Sequence, residues 1–274
     1  MTRADIPFAL TITDLEKWEY SKADIERLLY LDPDGCFKAV VGGKGVGITT
    51  AISYDGLGWI GNVVVLPEHQ GKGLGSELVT HAMNYLEKNG CETICLNSYL
   101  HKITFYENLG FKGEFENQRY VGKIMTNHLS AADTISSINI DRVIEFDGKY
   151  FGANRRKLLQ RLKQEFPETF IFLQRGNKSG YLVGQVNERF CEIAPWVIDS
   201  SGLEIAKHLL HILSSKIEGI SIGFTAPAPS ENAKSLVQWL GLSKVMTTLR
   251  MYHGKKFHMG KLEGVIGLGG LEKG

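Results

Sequence analysis

Residues 63–88 read VVVLPEHQGKGLGSELVTHAMNYLEK, and this succession constrains the fold more than any other stretch. The apolar, β-branched run WIGNVVVL at 59–66 is halted by Pro67, the pattern of a buried strand. Leu74, Leu78, Val79, Ala82, Met83 and Leu86 then fall on one face of a helix that Asn89 and Gly90 terminate. CETICLNSY, around residues 91–99, returns as a second apolar strand. The unit is strand, glycine loop, helix, strand, so its two strands run parallel with a right-handed crossover.

The loop between that strand and helix has a chemistry of its own. A helix N-terminus carries unpaired N–H groups and partial positive charge, which together favour an anion. Gly71, Gly73 and Gly75 let the main chain curl into a nest that a ligand can approach without meeting a Cβ, and Gln70 and Lys72 can add side-chain donors. Walker A needs Ser or Thr directly after its Gly-Lys, where Gly73 stands, and the dinucleotide fingerprint needs glycine where Ser76 stands, which disfavours ATP and NAD. The similar pentapeptide GKGVG at 43–47 lies between two β-rich runs, CFKAVV and VGITTAISY, and is read as a hairpin turn with no helix behind it.

At 274 residues the chain has room for two domains. Two helices are expected in the first 30 residues, capped by Thr13 or Asp14 and by Ser21. ITFYENLGF predicts a short helix ending at Gly110, and RYVGKIM a further strand. The polar segment 127–137 is expected to be a linker between a first domain, 1–126, and a second, 138–260, with 261–274 a mobile glycine-rich tail. The second half repeats the plan of the first, opening on a helix at ANRRKLLQRLKQEF. Thirty-one basic and 30 acidic side chains give a net charge of +1, which leaves no broad electrostatic footprint for nucleic acid or a membrane surface. Cys36, Cys91, Cys95 and Cys191 form no CxxC pair, so buried reduced thiols are expected and a metal site is not. The start MTRADIPFALTITDLEKW carries acidic residues where a secretion signal would be basic and then apolar, and no run approaches the ~20 apolar residues of a membrane span, so a cytoplasmic protein is expected.

Gln70-Gly71-Lys72-Gly73-Leu74-Gly75, with VVV and Pro67 before it and FYENLGF about 30 residues after it, resembles the signature of the GNAT superfamily of acetyl-CoA-dependent N-acetyltransferases. The resemblance implies an α/β (α+β) fold with tandem GNAT domains. Each has a mixed, mostly antiparallel sheet with splayed parallel central strands, flanked by helices. The splayed strands, here WIGNVVVL and ETICLNS, would hold pantetheine in their wedge, with the main chain of Val63 and Val65 pairing to its amides and the thioester near Asn62 and Val64. Residues 70–76, from Gln70 through Gly71, Lys72, Gly73, Leu74 and Gly75 to Ser76, would bind the pyrophosphate. Tyr106, four residues before Gly110, resembles the family's general acid. Asn97 is among the cofactor residues the resemblance implies, but it departs from the two-domain bacterial and archaeal branch, which usually has Asp in an LDAT-like motif where this chain reads LNSY, and that puts an acidic role there in doubt.

The function these features imply is transfer of an acetyl group from acetyl-CoA to a primary amine of a small molecule or peptide, with Tyr106 and Asn62 catalytic. No metal, nucleic acid or membrane partner is expected, and a homodimer is left open. Asn62 through a water, Glu68 or Asp24 are the candidates for taking the amine's proton. The alternatives are an acyl-CoA sensor without chemistry and transfer of a longer acyl group. In the second half Val237 stands opposite Tyr106 and one glycine replaces three, so that half is expected to be degenerate. Trp196, Glu192 or Asn232 could help it close the acceptor site, with core burial the expected role of Trp196.

Overall fold

The computed structural model describes residues 1–124, 139–187, 189–217, 219–256 and 260–274, so the expected linker at 127–137 lies outside the described residues. The chain forms two compact units. Unit 1 comprises Met1–Gly113, a stretch that begins at Met251, and Lys273. Unit 2 comprises Glu114–Arg250 and most of the tail.

In unit 1 the order is α1 (Ile6–Asp14), α2 (Lys22–Leu31), β1 (Cys36–Val41), β2 (Lys44–Tyr54), β3 (Leu57–Val65), α3 (Leu74–Lys88), β4 (Thr93–Tyr99) and α4 (Ile103–Glu107). The strands lie in the order β1-β2-β3-β4; the first two pairings are antiparallel and β3–β4 is parallel. Leu78, Val79, Ala82 and Leu86 of α3 are buried with Ile48, Ile52, Trp59 and Ile60 of the sheet. The β1–β2 turn is Gly42-Gly43, at φ +56° and +78°, so only the first residue of GKGVG turns the hairpin, and residues 44–47, read as turn, instead open β2 paired to β1.

Ser21 caps α2 as expected, its Oγ accepting from Asp24 N at 3.3 Å while Asp24 Oδ2 accepts from Ser21 N at 2.9 Å. The first helix is a correction. It ends at Asp14 instead of starting there, because Ile6, Ala9 and Ile12 form the buried stripe and Pro7 suits a first turn. The Thr13 hydroxyl, read as a cap, donates inside the helix to Ala9 O at 2.9 Å.

Unit 2 holds β5 (Lys112–Lys123), α5 (Ile140–Phe151), α6 (Arg156–Glu165), β6 (Phe170–Arg175), β7 (Lys178–Val186), β8 (Phe190–Ile198), α7 (Leu203–Ser214), β9 (Ser221–Pro227), α8 (Glu231–Leu240), β10 (Ser243–Gly254) and β11 (Val265–Gly267), the first residues of β5 and the last of β10 being in unit 1. The strand order is β10-β5-β9-β8-β7-β6, with β8 and β9 parallel. Helix α5 was not anticipated. Asn139 caps it, accepting from Asp141 N at 3.0 Å, and Val143, Ile144, Phe146, Tyr150 and Phe151 give it an apolar face.

Two further expectations fail on packing. The first compact unit does not run to 126: it comprises Met1–Gly113 and draws in the short stretch 251–256 from far along the chain. Lys255 N donates to Glu92 O at 3.0 Å, the Thr93 hydroxyl donates to Lys255 O, and the His253 ring lies 5.6 Å from that of Phe111. The tail, expected to be mobile, is a packed strand. Strands β8 and β9 pair only over Phe190–Glu192 and Ser221–Gly223 and then separate. β11 bonds to β8 on one side, with Val265 opposite Val197, while Leu268 N donates to Thr225 O of β9 at 2.9 Å on the other. Val265, Ile266 and Leu268 are buried. The glycines answer to close packing: a Cβ on Gly267 would lie 2.9 Å from Ile193 O.

Candidate active site

Strand β3 leaves its parallel partner early. β3 and β4 pair at Leu57–Thr93, Gly58–Ile94 and Trp59–Cys95, yet β3 continues to Val65 and β4 to Tyr99. Beyond Trp59 the facing edges are open to an extended ligand that supplies its own amides. On its other side β3 bulges. Gly61 faces Thr50 and Val64 faces Ile48, so Asn62 and Val63 together oppose Thr49. Asn62 takes the bulge's left-handed backbone, φ +53°, which asparagine tolerates better than most residues.

The side chain of Asn62 is 5% exposed. Its Oδ1 accepts from the Thr50 hydroxyl at 3.0 Å, while its Nδ2 is buried without a hydrogen-bond partner. An unsatisfied buried donor is uncommon and marks a place where a ligand oxygen or water would be welcome. Val64 and Val65 are buried and Val63 half-buried. Asn97, on β4, lies two residues past the last β3–β4 pair and is half-buried.

After β3, Gly71 and Gly73 adopt φ +71° and +85°, and a Cβ on either would meet nothing within 4 Å. Gly73 is the N-cap of α3 and provides no side-chain cap, so the first N–H groups of a 15-residue helix face the open loop. Leu74, Gly75 and Ser76 are half-buried behind it, and a Cβ on Gly75 would sit 3.5 Å from the Phe105 ring of α4. The side chains expected to add donors are engaged elsewhere: Gln70 Nε2 donates to Val65 O at 2.8 Å and Lys72 Nζ to Glu68 O at 2.8 Å. Gln70 thereby ties the loop to the end of the open strand. The nest itself is main chain.

Tyr106 sits on the short α4, half-buried, with the Phe105 and Phe111 rings edge-on at 4.9 and 5.9 Å. Burial pushes its phenol up to about 12, so it is protonated at neutral pH. Gly110, at φ +85°, ends the turn and lets Phe111 N return to Tyr106 O at 3.1 Å. Of the base candidates, Asp24 is committed to its helix cap and to Arg27 at 3.0 Å, while Glu68 is exposed.

Among its described residues unit 2 assembles no comparable site. Val237 is buried where the first half has tyrosine, and β11 occupies the space that opens between β8 and β9. Trp196 is core, 5.4 Å from Phe224. Glu192 is held in a two-bond pair with Arg119 at 2.8 and 2.7 Å, and Asn232 donates to Ser200 O and Glu263 O at 2.6 and 2.8 Å. All three have structural work within unit 2.

The acetyltransferase (GNAT) family model matches residues 7–111, and the acetyltransferase (GNAT) domain model matches residues 143–263. The chain belongs to the GNAT family. This GNAT chain is 26% identical over 250 residues to holothin acyltransferase of Pseudoalteromonas sp. (strain SANK 73390), a match covering 88% of this chain and 82% of that protein. N-alpha-acetyltransferase MAK3 of Arabidopsis thaliana is 32% identical over 114 residues, 39% of this chain and 60% of that protein. Among solved structures, a protein of Pyrococcus horikoshii shares the fold with a TM-score of 0.85 at 23% identity, covering 100% of this chain and 94% of that one. A GCN5-related N-acetyltransferase from Sphaerobacter thermophilus follows at 0.67 and 14%, covering 95% of each. The chain is thus a two-domain GNAT acyltransferase, of a family that uses acyl-CoA. Among the described residues no helix is long and apolar enough to cross a membrane.

Proposed function

We propose that unit 1 transfers the acetyl group of acetyl-CoA to a primary amine of a small molecule or peptide. The observation that carries this reading is the conjunction of an opened β3–β4 edge with an uncapped, glycine-lined helix N-terminus directly downstream of it. Pantetheine needs the first and pyrophosphate the second. In this reading Val63, Val64 and Val65 offer main-chain groups to the pantetheine amides, and residues 70–76 hold the pyrophosphate.

The reaction balances simply. The neutral amine nitrogen bonds to the thioester carbon, the carbonyl oxygen gains negative charge, and a main-chain N–H of the open strand stabilises it. Collapse breaks the C–S bond and expels the thiolate of coenzyme A, while the nitrogen loses a proton. The Asn62 Nδ2, a buried donor without a partner, holds the water that carries that proton away. Tyr106 donates to the departing sulfur. A free thiol at ~8.5 is a stronger acid than a phenol pushed up to about 12, but the thiolate leaves into the same apolar surroundings, which raise its basicity too.

A thiol-release assay over chemically diverse amines, with acetyl-, propionyl- and hexanoyl-CoA compared, tests the reading. Expected is amine-dependent release that is greatest with acetyl-CoA. Tyr106→Phe should lower kcat 10²-fold or more, on the order of general-acid contributions, while the affinity for acetyl-CoA stays within about twofold. Equal turnover by the variant would remove Tyr106 from the mechanism. Preference for a longer acyl-CoA would replace the acetyl assignment.

A further inference from the structure

The segment joining α1 to α2 reads LEKWEY, residues 15–20, and two of its residues are held in a backbone conformation that side chains resist. Lys17 and Glu19 adopt φ +56° and +53°, on either side of Trp18. Left-handed backbone at two non-glycine positions persists only where the surroundings impose it, and it collects at ligand-binding segments. Here it fixes the direction of one indole. Trp18 is half-buried; its Nε1–H donates to the Tyr99 hydroxyl at 2.7 Å, and its ring meets Tyr20 edge-on at 6.0 Å.

Tyr99 closes β4. Counting on from the last β3–β4 pair at constant offset sets Ser98 and Tyr99 level with Asn62 and Val63, the bulge beside the proposed thioester site. The Trp18–Tyr99 bond therefore anchors the α1–α2 segment to the end of the opened strand. Leu15, three residues before Trp18, and Leu100, next to Tyr99, are 49% and 50% exposed. An indole has one polar hydrogen, and Tyr99 uses it, so Trp18 has only its faces left to offer. Asp14, Glu16 and Glu19 flank it, exposed, against one lysine, a charge that draws in an acceptor arriving as an ammonium ion.

We propose that Trp18, held by Tyr99, is a wall of the acceptor site and selects amines that carry a flat, apolar group close to the reacting nitrogen. This rests on the transfer reading above. Stacking on a fixed ring face rewards a planar body and gives a flexible alkyl chain less. Trp18 is a specificity residue in this proposal and takes no part in the chemical step.

The test compares 2-phenylethylamine with n-butylamine as acceptors for the full chain, its Trp18→Ala variant and its Trp18→Phe variant. Thiol release from acetyl-CoA gives kcat/KM, and calorimetry gives coenzyme A affinity and the affinity of each amine for the coenzyme A-saturated protein. Expected is a preference of at least tenfold for 2-phenylethylamine, carried by KM. The preference falls to within twofold in Trp18→Ala and is largely kept in Trp18→Phe, with coenzyme A affinity within twofold throughout. A ratio that survives in Trp18→Ala, or a wild-type protein that binds coenzyme A and shows no preference for the flat amine, overturns the inference and leaves the transfer reading standing. If coenzyme A binds but neither amine is acetylated, the ratio of calorimetric amine affinities decides in the same way. Failure to bind coenzyme A at all sinks both.

Discussion

Asn62 joins two demands in one residue, a left-handed backbone for the bulge and a buried amide without a donor's partner. Two substitutions separate them. Asn62→Gly keeps the conformation and deletes the amide, so turnover should fall about tenfold with little change in stability. Asn62→Ala deletes the amide and adds about 1 kcal/mol of backbone strain, so it should lose the same activity and melt lower. Equal turnover of Asn62→Gly and the wild-type chain would reduce Asn62 to a bulge former. Tyr106 makes a prediction in pH. Its proton must be present for donation, and burial moves its loss from the ordinary ~10 to about 12. Activity should rise with pH as the acceptor amine deprotonates and show no alkaline fall between pH 9 and 11; a fall centred near 10 in kcat would contradict the raised phenol. Both residues are positions that the resemblance to the family singles out, Tyr106 four residues before Gly110 and Asn62 within the strand expected to open. The unpaired Nδ2 was not, since it depends on Thr50 taking only the oxygen.

At the scale of elements, two near-identical glycine pentapeptides permit a controlled comparison. Gly43 and Gly73 both adopt left-handed backbone, at φ +78° and +85°, and in both a Cβ would point into open space. Alanine at either costs about 1 kcal/mol in strain. Only Gly73 caps α3 beside the open end of β3. Gly73→Ala should therefore raise KM for acetyl-CoA roughly tenfold or more by placing a methyl group in the anion nest, while Gly43→Ala melts as low and leaves KM unchanged. Equal KM in both variants would dissociate the loop from the cofactor. This distinction was legible beforehand because strand, glycine loop and helix follow one another within 30 residues, so local periodicity suffices. Helix α1 was misplaced for the opposite reason: its stripe of Ile6, Ala9 and Ile12 is short, and Thr13 and Asp14 look like caps until the Thr13 hydroxyl is seen bonded to Ala9 O.

The whole molecule is where sequence reasoning is weakest, because partners distant in the chain leave no local pattern. Nothing in residues 1–126 announces that unit 1 uses residues 251–256 and Lys273, with Lys255 bonded to Glu92 and the Tyr54 hydroxyl donating to Lys273 O at 2.9 Å. Nor does VIGLGG, flanked by glycines, look like core. Yet Ile266 is fully buried, on a strand that fills the gap between β8 and β9, the counterpart of the gap that pantetheine would fill in unit 1. Ile266→Ala should cost about 2–5 kcal/mol and lower Tm by roughly 5–15 °C, whereas exposed Lys261→Ala should leave Tm within about 1 °C. A mobile tail would make the two variants alike. The same plug sets the binding stoichiometry: with the β8–β9 gap filled from within and no glycine nest ahead of α7, calorimetry should find one coenzyme A per chain. A second site of comparable affinity would show that β11 is displaced by the cofactor instead of replacing it.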